Sequence, residues 1–254
     1  MRVPHQPDPP DASAPEDADI ETSSDAYARR FSGTVGRWFL DVQAATTLAL
    51  LRHLPAGASV LDVGGGHAQL APALLGAGFE VTVVGSDPSC AGRLAPWLEQ
   101  DRCRFEVANL RALPFPTGAF EAVLCFRLLP HSVAWTDLVG ELSRVARRSV
   151  VLDYPSQRSV NVVADRLFRF KQRVEGNTRR YRIFDPREVR SAFTRRGFEV
   201  MDERPQFLFP MVLHRGIGNA TVSRLVEAPP RLLGLTHLLG SPVILRADRR
   251  VAPS

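Results

Sequence analysis

Val60-Leu61-Asp62-Val63-Gly64-Gly65-Gly66-His67-Ala68, VLDVGGGHA, decides how the rest of this chain is read. A short apolar run ends in an acid, one apolar residue follows, and three glycines open a helical pattern. Glycine has no Cβ, so Gly64 and Gly66 can take positive φ and expose N–H groups beside the N-terminus of the next helix. Such a turn lets backbone approach a ligand at the tip of a buried strand. The dinucleotide fingerprint GxGxxG, started at Gly64, needs Gly or Ala at the position of Gln69 for close packing of helix on strand. The long polar side chain of Gln69 disfavours that reading.

Four more blocks follow in the order that a doubly wound sheet requires. Leu70, Leu74 and Leu75 carry helical spacing, Gly76 and Gly78 stop it, and Glu80 to Val84 reads as a second strand. Ser86, Asp87 and Pro88 open a helix expected to run through Leu94 and Leu98. Arg104 to Val107 is a third strand, Glu121 to Cys125 a fourth and Ser149 to Leu152 a fifth, with a helix through Leu138, Leu142 and Val145 before the last. These alternating blocks read as α/β, a doubly wound, Rossmann-like sheet. Strand six starts at Phe198 and strand seven at Ser241. Asp185-Pro-Arg-Glu188 reads as a helix start with capping-box spacing, ended by Gly197.

VLDVGGGHA, with Asp62 two residues before the first glycine and small Ala68 where a third glycine is common, resembles motif I of the class I S-adenosylmethionine-dependent methyltransferases. NLRALPFPTGAFEAVLCFRLLPH, from Asn109 to His131, resembles the motif II to motif IV region of their small-molecule members, including the ubiquinone and menaquinone biosynthesis type. The resemblance covers Gly57 to Tyr154 well and the remainder in outline, and it implies a seven-stranded sheet with an antiparallel final strand and helical lid insertions. It implies S-adenosyl-L-methionine as cofactor, with Gly64, Gly65 and Gly66 against its methionine and ribose and Asp62 attracting the α-ammonium directly or through water. An acid ending strand two would bind the ribose diol. Gly85 stands there instead, and Asp87, two residues later, serves only if the turn bends it back; otherwise it is a helix N-terminal residue. Asn109 replaces an acid near the adenine amine, where its side-chain oxygen still accepts a hydrogen bond. Leu110 and Phe126 complete the implied cofactor set.

The resemblance divides the chain into a disordered tail (1–24), rich in Pro, Asp and Ala, and a methyltransferase domain (25–254). That domain comprises a helical cover (25–56), a cofactor-binding core (57–154) and a substrate-side half (155–254). Leu40, Ala44, Leu48 and Leu51 fall on one face of the cover helix, and Tyr27 or Phe31 would lie over the methionine end or pad the sheet edge. Val160 to Arg182 reads as a helix bearing a basic face, either solvated or a lid for an anionic substrate or lipid surface. Pro210, Met211, Leu213, Leu232, Leu233, Leu235, Leu238 and Leu239 line an apolar pocket or form a helical cover.

Methyl transfer is an in-line displacement in which positioning dominates and a base is needed only if the acceptor must lose a proton. His131, just past strand four, is the candidate base; Tyr27, Arg127 and Tyr154 are candidates for substrate contact on position alone. An Asp/Asn/Ser-Pro-Pro-aromatic motif is missing after strand four, where Cys125-Phe-Arg-Leu stands, and Cys125 lacks the Pro-Cys setting of cytosine-carbon enzymes. The expected acceptor is therefore a small molecule or lipid-like compound, not nucleic acid, despite a net charge of +5. Lys171 is the only lysine among 32 basic residues, so the charge reflects composition bias before partner choice. Cys90, Cys103 and Cys125 have no metal-ligand spacing, so no metal is expected. No apolar run of about 18 residues and no signal-like start occur, which points to the cytoplasm with at most peripheral membrane contact. A catalytically degenerate binding or regulatory protein stays as the alternative, with a nicotinamide-dependent oxidoreductase behind it.

Overall fold

A computed structural model of the 254-residue chain describes residues 17–159 and 181–250. Seven strands form one sheet: β1 (Ser59–Val63), β2 (Glu80–Gly85), β3 (Cys103–Val107), β4 (Phe120–Cys125), β5 (Ala146–Tyr154), β6 (Phe198–Phe207) and β7 (Ser241–Arg249). Their order is β3-β2-β1-β4-β5-β7-β6. β1 to β5 run parallel, and β7 inserts antiparallel between β5 and β6. The chain winds outward from β1 to β3, then returns to place β4 on the other side of β1. That reversal opens a crevice beyond the carboxyl ends of β1 and β4, where ligands bind in open α/β sheets.

Both faces of the sheet are covered, so its central strands are largely apolar and alternate sides with period two. Leu61, Val63, Val123 and Cys125 pack in one buried layer with Leu138, Leu142 and Phe193. Val60, Val83, Ala122 and Leu124 pack in the other with Leu51, Leu70 and Leu74.

Ten α-helices flank the sheet among the described residues: α1 (Ala18–Thr22), α2 (Asp25–Ala28), α3 (Gly33–Leu50), α4 (Ala71–Gly76), α5 (Ala95–Leu98), α6 (Trp135–Val145), α7 (Pro186–Thr194), α8 (Met211–Ile217), α9 (Ala220–Leu232) and α10 (Leu235–Leu239). α6 buries Leu138, Leu142 and Val145 at helical spacing, as the sequence predicts. α3 buries a broader stripe than expected, through Val35, Phe39, Gln43, Thr47 and Leu50; Leu40, Ala44 and Leu48 are half-buried at its edge. None of the helices in the described residues is long and apolar enough to cross a membrane.

Several expectations are corrected. The stretch Ser86 to Leu98 is not one helix: a 3-10 segment Pro88–Leu94 gives way to the single turn of α5, because Pro96 offers no N–H to continue the ladder. Asp185 caps α7 by accepting the Arg187 N–H at 2.9 Å, but Glu188 pairs with Arg182 at 2.7 Å instead of closing a capping box. The expected disorder up to Ser24 fails in its last residues, since Ala18–Thr22 is helical and Asp19, Thr22 and Ser23 are buried. Residues 1–16 and the basic stretch 160–180 lie outside the described residues.

Candidate active site

The glycine turn sits at the carboxyl end of β1. Gly64 has φ +72° and Ala68 φ +56°, bracketing a 3-10 turn, Gly65–His67. Positive φ at Gly64 carries no Cβ penalty, and its N–H donates to the Val84 carbonyl at 2.8 Å. A Cβ at Gly65 would overlap the Asp62 carboxylate, and one at Gly66 would come within 2.5 Å of the Cys90 carbonyl oxygen. The turn therefore requires glycine to fold over Asp62.

Asp62 is fully buried, and neither carboxylate oxygen has a hydrogen-bond partner. Burial alone pushes its pKa from 3.8 up to about 7. A buried carboxylate without a donor is costly and unusual. His67, in the same turn, accepts the Gln69 N–H through Nδ1 at 3.2 Å and leaves Nε2 unpartnered. Its pKa is pushed down to about 3, chiefly by burial and then by the charges of Arg127 and Arg93, so the imidazole is neutral.

α1 lies on this turn. Asp19 Oδ2 accepts the Ser86 N–H at 2.7 Å, and Oδ1 accepts the Ser86 hydroxyl at 2.5 Å. The Cβ of Asp19 is 3.4 Å from where a Cβ on Gly64 would be.

Beside the turn, a cavity of about 380 Å³ opens between α2, α3, the β4 and β5 tips and the start of α8. Arg127, next after Phe126 beyond β4, is held deep in its wall at φ +61°. That left-handed conformation is strained for a long side chain, and it is fixed by the Arg127 N–H donating to Asp153 Oδ1 at 2.6 Å. Arg127 Nη2 donates to Gln43 Oε1 at 2.5 Å, while Nη1 has no partner. Its guanidinium stacks over Phe31 at 4.0 Å from the ring centroid. Tyr27, His131, Asp153 and Arg215 also line the cavity. Burial pushes Asp153 up to about 6, partly offset by its bond to the Arg127 N–H and that residue's charge. Tyr27 is raised by burial, against the lowering charge of Arg127.

Among the expected site residues, the structure gathers Asp62, Gly64, Gly65 and Gly66 at one turn and Tyr27, Arg127 and His131 around one cavity. His131 lies at the end of a 3-10 turn, Leu129–His131, edge-on to Tyr181 at 5.6 Å. Others are turned elsewhere. Asp87, partly exposed, accepts the Ser89 N–H through Oδ1 at 2.8 Å, and hydrogen bonds from the Ser89 side chain and then its backbone hold its pKa below the usual value. Asn109 Oδ1 accepts the Arg111 N–H at 3.0 Å. Leu110 and Phe126 are fully buried in the two core layers, Phe126 among Val60, Leu70 and Leu124. Tyr154 does not line the cavity: only 1 % exposed, it packs against Phe184 and donates its hydroxyl to Glu203 Oε1 at 3.0 Å. Of the eight apolar residues of the late insertion, only Pro210 and Met211 line the cavity; Leu232, Leu233 and Leu238 are exposed.

Asp19, His67, Asp153 and Arg215 escaped the sequence reading. Asp153 had a signal, since it ends a strand on the ligand-binding edge. The buried pair His214 Nε2 to Glu227 Oε1, 3.0 Å apart, is structural: Glu227 also accepts the Leu208 and Phe209 N–H groups and anchors α9 to the β6 end.

Residues 38–203 match the family model described as a methyltransferase domain. No curated protein matches the chain. Solved structures with the same fold include magnesium protoporphyrin IX methyltransferase from Synechocystis PCC 6803 with bound SAH, at 15 % identity and TM-score 0.64, covering 91 % of this chain and 98 % of that one. Geranyl diphosphate methyltransferase in complex with GPP and sinefungin aligns at 18 % identity and TM-score 0.58, over 83 % of this chain and 77 % of that one. At these identities the likeness shows the fold. The match of family model to most of the sheet shows that the chain belongs to the class I S-adenosylmethionine-dependent methyltransferases.

Proposed function

We propose that the chain transfers a methyl group from S-adenosylmethionine to a small-molecule or lipid-like acceptor held in the cavity beside Arg127. The observation that carries this reading is the buried, unpartnered carboxylate of Asp62 beneath a turn that only glycine can form. Asp62 would hold the cofactor's α-ammonium, directly or through water, and N–H groups of Gly64 to Gly66 would meet its methionine and ribose. The bound cofactor supplies an electrophilic methyl on a sulfonium. The cavity walls, Tyr27 and Phe31 among them, hold the acceptor in line and exclude water. His131 accepts the acceptor's proton where one must leave. The neighbours named for magnesium protoporphyrin IX and geranyl diphosphate fit a small-molecule acceptor.

A second reading, a cofactor-binding protein without turnover, is favoured by Gly85 at the β2 tip and by the committed side chains of Asp87 and Asn109. Calorimetric titration with S-adenosylmethionine, S-adenosylhomocysteine and NADH tests the site. Saturable binding of the first two only, lost in Asp62→Ala and Gly64→Arg, supports it; unchanged affinity in the folded variants refutes it. Release of S-adenosylhomocysteine in an acceptor screen then separates enzyme from binder.

A further inference from the structure

Three guanidiniums converge on the acceptor cavity: Arg127 from the β4 tip, Arg30 from the turn after α2 and Arg215 from α8. Arg127 and Arg215 stack over the same Phe31 ring, 4.0 and 5.8 Å from its centroid, and Arg30 stacks over Tyr27 at 4.9 Å. They repel one another: the charge of Arg215 acts against that of Arg127, and Arg30 against Arg215. Among the described lining residues the only acid is Asp153, whose Oδ1 is already taken by the Arg127 N–H. Like charges gathered in a partly desolvated space are unfavourable until an anion joins them. Phe31, Phe39, Phe207 and Met211 add apolar surface to the same cavity, beside polar Gln43 and Gln206.

We infer that the acceptor is an anion with an apolar body, its charged group bound by the free Nη1 of Arg127 and screened by Arg30 and Arg215. This rests on the methyltransferase reading for the chemistry at the neighbouring turn, not for the binding itself. The charged group is a carboxylate or a phosphate, which the test distinguishes. The full chain is titrated first with S-adenosylhomocysteine and then, saturated, with 2-naphthoate, 2-naphthyl phosphate and neutral 2-naphthamide. At least one anion binds saturably, ten or more times tighter than the amide, and both Arg127→Met and Arg215→Met weaken it about tenfold while leaving the amide unchanged. Arg215 is exposed, so its variant keeps the test alive if Arg127→Met fails to fold. Equal binding of anions and amide, unaltered anion affinity in the variants, or no saturable binding by any of the three overturns the proposal. Failure to bind S-adenosylhomocysteine instead removes the methyltransferase reading, and the naphthyl series on the same protein still judges the cavity.

Asp19 is fully buried with its carboxylate on Ser86, and Ser23 is buried against Gly66, so α1 occupies the space over the glycines. We propose that α1 is an internal competitor that must leave before the cofactor enters, lowering its apparent affinity by the fraction of chains in which the turn is open. Asp19→Ala in the full chain then tightens S-adenosylhomocysteine about tenfold, and saturating ligand speeds amide hydrogen exchange over residues 18–23 of the wild type. Weaker binding in Asp19→Ala would make Asp19 a cofactor ligand and overturn the proposal. So would unchanged exchange over 18–23, or no binding by either protein.

Discussion

Replacing Asp62 by Asn should stabilise the unliganded fold at alkaline pH while removing cofactor binding. Burial raises Asp62 from 3.8 to about 7. Its folded pKa lies above its unfolded one, so the folded chain binds the proton more tightly, and stability falls as pH rises from about 3.8 to about 7. Roughly three units at about 1.4 kcal/mol each make the ionised group a cost of about 4 kcal/mol above pH 7. Asp62→Asn removes that cost but leaves a buried amide unpaired, a penalty of about 2 kcal/mol. The net gain is about 2 kcal/mol at pH 8.5, shrinking to about zero at pH 5.5. His67, held down to about 3, acts with the opposite sign, losing stability as pH falls below about 6.5, and Asp153, raised to about 6, acts with the same sign as Asp62. Comparing variant and wild type at each pH cancels both. Urea unfolding followed by circular dichroism at the two pH values measures the difference, and titration with S-adenosylhomocysteine measures the loss of binding. A variant less stable than wild type at pH 8.5, or one with a pH-independent difference, would refute the reasoning.

The same protonation makes wild-type S-adenosylhomocysteine affinity fall about tenfold per pH unit below pH 7; a flat calorimetric profile from pH 8 to 5.5 would separate Asp62 from the ammonium. Gly66→Ala should cost about 1–3 kcal/mol by thermal unfolding, because the new methyl meets the Cys90 backbone carbonyl, which cannot swing aside. His131→Ala should lower the rate of methyl transfer without changing donor affinity; an unaltered rate would retire it as a base. Glu227→Ala strands two backbone donors and His214 and should destabilise by about 3 kcal/mol in urea, with little change in donor affinity.

The sheet was legible because most strands and helices of the winding announce themselves locally: Asp62 and its glycines at the tip of β1, the leucines of α6, the apolar run of β4. What escaped depends on distant segments meeting. α1 is five residues of an acidic, proline-rich stretch without apolar period, and it is held by Ser86, 67 residues away from Asp19. Asp153 and Tyr154 are neighbours on β5 and point to opposite faces, one to the cavity wall and one to the core; spacing alone does not say which. Phe126 and Arg127 divide in the same way beyond β4. Asp87 and Asn109 carry the right chemistry for a nucleoside but close their own turns, a local competition familiar for short polar side chains.

A crystal structure of the full chain grown with saturating S-adenosylhomocysteine tests the central claim most directly. The ligand is expected over Gly64 to Gly66, with its ammonium bonded to Asp62 directly or through one water, and α1 displaced from Ser86. Ligand bound elsewhere, or Asp62 still unpartnered beneath an undisturbed α1, would contradict it.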